Sequence, residues 1–210
     1  MHFLNISSTD NFWRSSTDVV RLSTNIMFSL RLTRIARRGQ SSIRFISVGE
    51  VTPSAVVDIV EPVNGEFTVR NAQNFGDVLK SHKRAVVFAL PGAFTPICSE
   101  KHLPGFIEHA EALKAKGVEA IYCLSVNDFF VMKAWGKATK GLAESGIKLV
   151  ADGNGDYTRA INMELDLTAG RLGLRCTRYA SIVENGVYKS VEVDVKGLEK
   201  SSAESILASL

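Results

Sequence analysis

Two continuous apolar runs, one helix apart, constrain this chain more than any other feature. Ala85 to Leu90 reads AVVFAL and ends in Pro-Gly, and Val118 to Val126 reads VEAIYCLSV. A strand with one wet face alternates apolar and polar residues, so a run that is apolar throughout predicts a strand covered on both faces. Between the two, GFIEHAEALKAKG sets Phe106, Ile107, Ala110 and Leu113 at helical spacing, and Gly117 ends the helix. Strand, helix and strand of these lengths predict a βαβ unit with parallel strands and a right-handed crossover. The fold class is therefore α/β.

The rest of the chain continues the alternation. Asp128 is placed to cap a helix over roughly Phe129 to Ala143, with Trp135 toward the core. IKLVADGNGD reads as a short strand and turn, and YTRAINMEL as a short helix. RYASIV and VYKSVEVDV flank Glu184-Asn185-Gly186, which predicts a β-hairpin. SSAESILASL closes the chain as a helix capped by Ser201 or Ser202. No internal repeat is visible, and Val51 to Leu210 reads as one α/β domain.

Charge sets the amino-terminal segment apart. The 210 residues carry a formal net charge of +3. Residues 1–50 hold seven arginines and no lysine against Asp10, Asp18 and Glu50, a local +4, which leaves −1 for the remainder. The folded part therefore offers no electrostatic reason to expect a nucleic-acid partner. A Ser-, Thr- and Arg-rich, acid-poor segment with apolar residues among its arginines, IMFSLRLTRIARRGQSSIRF, has the composition of an organelle transit peptide. The alternative is a disordered basic tail that binds a partner. Residues 1–46 are assigned to this segment and 47–210 to the folded domain. Arg44 before Phe45, Ile46 and Ser47 resembles the arginine-directed cleavage sites of mitochondrial precursors, which predicts a mature start near Ser47. Met27 is a possible alternative start. The expected destination is the mitochondrion, with the plastid as the alternative. The apolar runs fall short of the about 20 residues that cross a bilayer, so no membrane span is expected.

Cys98, Cys123 and Cys176 are widely spaced, odd in number and without a CxxC. Disulfide frameworks and zinc sites need closer or more numerous ligands, so a reducing compartment and a working thiol fit better. Cys98 stands out by position. The segment PGAFTPICSEKH follows the carboxyl end of the first buried strand, where α/β sheets place their sites. Pro96 suits a first helical turn, so Cys98 would meet the positive end of a helix dipole and unpaired N–H groups, which favour a thiolate. The alternative is a small buried filler residue.

PGAFTP, then Ile97, Cys98 and Ser99, then HLPGF, resembles the peroxidatic signature of peroxiredoxins, and specifically of their type II, or five-type, subfamily. The resemblance runs on through CLSVNDFFVMKAW, DGNGDYT and LGLRCTRYASIVENG to SSAESILASL, covering essentially all of residues 47–210. It implies a single thioredoxin-like α/β domain and a thiol peroxidase acting on hydrogen peroxide and alkyl hydroperoxides. Cys98 then matches the peroxidatic cysteine. Thr95 matches the threonine that hydrogen-bonds thiolate and peroxide, with a helix cap as its alternative role. Arg178 matches the arginine that holds the thiolate and the developing charge. Pro91 matches the proline that shields the pocket, and Arg175 a second, supporting arginine. The resemblance also implies a homodimer, and glutathione, glutaredoxin or thioredoxin is expected to recycle the cysteine; with no phosphate loop, dinucleotide fingerprint or metal-ligand spacing in the sequence, no bound cofactor or metal is expected.

The match departs from the branch that carries an intramolecular disulfide, since Gly197-Leu198 is followed by Glu199-Lys200 and not by a resolving cysteine. Cys123 matches a second cysteine of plant-like members, with a buried core thiol as its alternative. Cys176 lies two residues before Arg178, and strand alternation predicts one shared face. A one-cysteine cycle with an external thiol follows. DGNGD begins like a calcium loop, but Tyr157 and Met163 stand where glycine and glutamate are required, so a turn is expected. His102, four residues after Cys98, falls on the same helix face, and its expected state is solvated rather than catalytic. Phe129, Phe130 and Trp135 read as packing. Other functions to be weighed are a general thiol-disulfide oxidoreductase, which the missing CxxC opposes, and a redox sensor using Cys98 with little turnover.

Overall fold

The computed structural model describes residues 45–210. The expected leader lies outside the described residues but for its last two, as does Met27. In chain order the strands are β1 (Val56–Val63), β2 (Glu66–Asn74), β3 (Ala85–Ala89), β4 (Ala120–Ser125), β5 (Lys148–Ala151), β6 (Glu164–Asp166), β7 (Leu174–Cys176), β8 (Arg178–Glu184) and β9 (Val187–Asp194). The α-helices are α1 (Phe75–Lys80), α2 (Leu103–Ala115), α3 (Phe129–Ala138), α4 (Leu142–Ser145), α5 (Asp156–Ala160) and α6 (Ala203–Ala208).

The βαβ unit forms as its apolar runs require. β3 and β4 pair in parallel from Ala85 opposite Ala120 to Ala89 opposite Leu124, and every residue of both is buried. β5 continues the parallel pairing beyond β4. The β8–β9 hairpin lies antiparallel against β3, and a β1–β2 hairpin lies antiparallel against β5, giving the order β2-β1-β5-β4-β3-β8-β9. Both hairpins turn on Asn-Gly with positive φ at both residues, 52° and 82° at Asn64-Gly65 and 50° and 78° at Asn185-Gly186. That conformation matches the strand twist, and glycine adopts it without a Cβ clash. β6 and β7 form a separate two-stranded sheet.

Strand alternation sorts the core to the two faces of the seven-stranded sheet. One face gathers Phe88, Cys98, Leu103, Phe106, Cys123, Trp135 and Ile206 beneath α2, α3 and α6. The other gathers Phe75, Tyr122, Tyr157, Cys176, Tyr179 and Tyr188 beneath α1 and α5. The helix expected over Phe129 to Ala143 is interrupted. Asp128 caps it as expected, its carboxylate accepting from Val131 N at 3.0 Å, but Thr139 leaves the helix and Gly141 takes a left-handed conformation before α4. Of the two candidate caps for the last helix, Ser202 is the one that accepts from Ser205 N. No helix among the described residues is long and apolar enough to cross a membrane.

Candidate active site

The site begins where β3 ends. Pro91 and Gly92 turn the chain, and Phe94 takes a left-handed φ of 62° with its ring more than half exposed. A non-glycine residue in that region costs on the order of 1–3 kcal/mol and persists only where surrounding contacts impose it. Those contacts come from the loop after β4. Asn127 Oδ1 accepts from Ala93 N at 3.0 Å and from Ser125 Oγ at 2.8 Å, tying the Cys98 loop to the neighbouring strand. A side chain on Gly92 would meet Arg175 Nη1 at 2.9 Å and Thr95 Cγ2 at 3.3 Å, so it would displace the end of the arginine.

Helical conformation starts at Pro96 and then widens, with Cys98–His102 forming a π-helical turn closed by Leu103 N donating to Cys98 O. Pro104 accounts for the widening. It has no N–H for the carbonyl of Glu100, and in a regular α-helix its ring would strike that carbonyl. Inserting a residue into the turn removes the clash, as π-turns do at many functional sites.

The turn sets Cys98 under the sheet edge, 1% exposed. Arg178, at the start of β8, is 6% exposed and donates from Nη2 to Cys98 Sγ at 3.4 Å. The contact places a permanent positive charge and a donor N–H on the sulfur. Arg178's other terminal nitrogen, Nη1, lies 2.8 Å from His102 Nδ1, and His102 Nε2 lies 2.9 Å from the Ser201 carbonyl oxygen. His102 is therefore not the solvated residue expected from its helix position. It is 1% exposed, its ring inclined against the stacked pair Phe88 and Phe106, with centroids at 5.1 and 5.6 Å. Burial and then the Arg178 charge push its pKa down to about 4, against the Ser201 hydrogen bond and the Asp194 charge. The same-face expectation holds, but the ring meets arginine and not sulfur.

Thr95 Oγ1 donates to Gly92 O at 2.8 Å, and its backbone carbonyl accepts from Ser99 N at 2.9 Å. It opens the helix through its carbonyl rather than as a side-chain cap. Pro91 is half-buried at the mouth, and Arg175 lies across Gly92 with Nε donating to Leu172 O at 2.7 Å, at the rim rather than on the sulfur. Trp135 Nε1 donates to Ser99 Oγ at 3.1 Å and fixes α3 to the Cys98 turn.

Cys123 sits mid-strand in β4, fully buried on the Cys98 side of the sheet, and burial pushes its thiol well up, with the nearby Cys98 adding to the effect. Cys176 and Arg178 do not share a face. β7 ends at Cys176 in the small sheet, Thr177 N donates to Met163 O at 2.7 Å, and the chain re-enters the large sheet at Arg178, so alternation does not run across the junction. Cys176 lies with Tyr157, Tyr179 and Tyr188 on the opposite face, where burial raises its thiol to about 12. All three cysteines are free.

The DGNGD segment is a turn. Asp152 is buried, and its carboxylate accepts from Tyr157 N at 3.2 Å and Thr158 N at 2.8 Å, capping α5. Among the described residues no group of three or more His, Cys, Asp or Glu could hold a metal ion.

A mixed α/β sheet that carries a cysteine in the first turn of a helix against a buried arginine, with no CxxC, defines a thiol-based redox protein. A family model described as Redoxin matches residues 67–207. Peroxiredoxin-2E-2, chloroplastic, of Oryza sativa subsp. japonica is 47% identical over 169 residues, which cover 79% of this chain and 72% of that protein. The crystal structure of reduced Prx3 in complex with H2O2 from Vibrio vulnificus is 44% identical with a TM-score of 0.66, covering 78% of this chain and 98% of that one. Peroxiredoxin 5 from Alvinella pompejana is 28% identical with a TM-score of 0.62, covering 78% and 97%. The chain belongs to the peroxiredoxin family and is a thiol-dependent peroxidase of thioredoxin-like fold.

Proposed function

We propose that Cys98 is the peroxidatic cysteine of a one-cysteine, type II peroxidase cycle. The observation that carries this reading is the buried Arg178 donor on the buried Cys98 Sγ. The Cys98 thiolate attacks the terminal peroxide oxygen, a sulfur–oxygen bond forms as the oxygen–oxygen bond breaks, and the leaving alkoxide or hydroxide takes up a proton to become alcohol or water. Charge moves onto the leaving oxygen only in the transition state, so donors aimed there raise the rate rather than merely the affinity. Arg178 is the donor on sulfur, and the Thr95 hydroxyl joins it by turning its one proton from Gly92 O to the peroxide, with Pro91 and Arg175 shaping the approach. The product is Cys98 sulfenic acid.

An external thiol then displaces water from the sulfenic acid to give a mixed disulfide, and a second thiol releases the Cys98 thiolate and an external disulfide. Glutathione, glutaredoxin and thioredoxin are the reductants that fit. Cys176 lies on the wrong face of the sheet, Cys123 is held inside β4, and the loop after β9 carries Glu199-Lys200. Both hydrogen peroxide and alkyl hydroperoxides are proposed as substrates, the former supported by the H2O2 complex of the Vibrio vulnificus relative. Exposed Phe94, Ile97, Phe130 and Leu174 on segments framing the site support a homodimer. For residues 1–46 we propose organelle import. The chloroplastic Oryza relative favours the plastid alternative over the mitochondrion. The backbone hydrogen bond from Gly49 N to Tyr188 O supports a mature chain that keeps the residues from about Ser47 onward.

Steady-state peroxide consumption of Cys98→Ser and of the double variant Cys123→Ser, Cys176→Ser tests the cycle with each reductant. The first is expected to lose activity to background and the second to retain it. Loss of turnover in the double variant with trapped sulfenic acid would replace this cycle with an internally resolved one.

A further inference from the structure

The mechanism above leaves one buried, titratable group without a role. His102 sits in the π-turn that carries Cys98, and both of its ring nitrogens are engaged. The Ser201 carbonyl can only accept, so Nε2 must carry the proton and donate to it. Nδ1 is then a lone pair, and the Arg178 Nη1 facing it at 2.8 Å can only donate. Two neighbours with a single possible role each fix one tautomer of a neutral ring. The chain of donors runs from Arg178 Nη2 to sulfur at one end and through His102 to the Ser201 carbonyl at the other.

Ser201 is itself held. Asp194, at the end of β9 and opposite Arg178 in the β8–β9 register, accepts from Glu199 N, Lys200 N, Ser201 N and Ser201 Oγ at 2.8–3.1 Å. The loop between β9 and α6 is thereby closed on the carboxylate, and it presents a carbonyl to the back of the catalytic turn. The apolar rings of Phe88 and Phe106 pack against His102, and the other charged groups near it are Asp194 behind Ser201 and Lys101, Glu199 and Glu204, which line the cleft beside it.

We propose that His102 is a positioning residue of the peroxidase reaction, anchored by the Ser201 carbonyl and holding the Arg178 guanidinium so that its second nitrogen faces Cys98. It is not a proton acceptor for Cys98, since neither nitrogen is free. Nor does it bring a negative charge that would compete with sulfur for the guanidinium. A side chain with several rotatable bonds, such as arginine, gains orientation from a fixed acceptor, and misplacement by about 1 Å can cost about 100-fold in rate.

The inference rests on the reading of Cys98 as nucleophile, and Cys98→Ser run in parallel separates the two. Stopped-flow oxidation by hydrogen peroxide is the test. His102→Phe keeps a ring against the stacked Phe88 and Phe106 but presents no acceptor. Its oxidation rate is expected to fall about tenfold or more, with the pH of half-maximal rate moved upward. His102→Asn places an amide oxygen near the Nδ1 position and is expected to recover most of the loss. In an Arg178→Ala background the phenylalanine substitution should cost little more, because the two residues act as one unit. Independent, additive losses would overturn the proposal, and so would an unchanged rate and pH profile in His102→Phe. Nitrogen NMR of histidine-labelled wild-type protein needs no variant to fold. It should show His102 neutral with the proton on Nε2, and a proton on Nδ1 would overturn the proposal. Peroxide consumption that survives Cys98→Ser would remove the underlying reading of the site instead.

Discussion

Arg178 lies 80 residues from Cys98 in the chain and yet donates to its sulfur. Losing one well-aimed donor at a site of developing charge costs about 100- to 1000-fold in rate. Arg178→Ala is expected to slow Cys98 oxidation by that order in stopped-flow measurements, whereas Arg175→Ala, a rim residue bonded to Leu172 O, should alter it far less. Cys98, Thr95 and Pro91 were legible because they fall within one short segment of characteristic order. His102 was not, because its burial depends on Ser201, 99 residues away, docking behind it. The local spacing placed it correctly on the Cys98 face, and nothing local marks that face as covered. Cys176 misleads for a related reason: two residues apart implies one face only while a strand continues, and the chain changes sheets at Thr177.

At the level of elements, the loop after β4 serves the loop after β3. Asn127 supplies the side-chain acceptor for Ala93 N. Asn127→Ala leaves that donor unpaired in a half-buried place, so a stability loss of about 1–3 kcal/mol is expected in urea or thermal unfolding, together with slower oxidation of Cys98. Ser202→Ala removes the cap of α6 and should cost about 1 kcal/mol. β3 and β4 were legible because strands buried on both faces are written as uninterrupted apolar runs. β1 and β2 were not recognised as such, because in an antiparallel hairpin at a sheet edge polar residues such as Asp58, Glu61, Arg70 and Gln73 interrupt the pattern. Asn64-Gly65 was the signal that marks this hairpin, as Asn185-Gly186 marks the other.

Over the whole molecule, the groups that organise the site also make its stability depend on pH. His102 has its folded pKa pushed down to about 4 from an ordinary value of about 6.5. The unfolded chain therefore binds the extra proton first, so this contribution is complete above about pH 6.5 and is lost as pH falls toward about 4. Asp194 is desolvated, which pushes its pKa up, but its hydrogen bonds from Ser201, Glu199 and Lys200 outweigh that and pull it down to about 2. Its stabilising contribution is present above the ordinary carboxylate range and is lost from about pH 4 down to about 2. Urea unfolding across pH is expected to show both steps, the upper one absent in His102→Asn and the lower one absent in Asp194→Asn. A profile for His102→Asn that matches wild type between about pH 6.5 and about 4 would show that some other group titrates there.

A single turnover bears most directly on the chemistry. Fully reduced protein is mixed with hydrogen peroxide in the absence of any reductant, the reaction is stopped within the fast phase, and each cysteine is mapped by mass spectrometry. Sulfenic acid should be found on Cys98, with Cys123 and Cys176 still thiols. First oxidation of Cys123 or Cys176, or a slow reaction that Arg178→Ala leaves unchanged, would contradict a peroxidase built on the Cys98 thiolate.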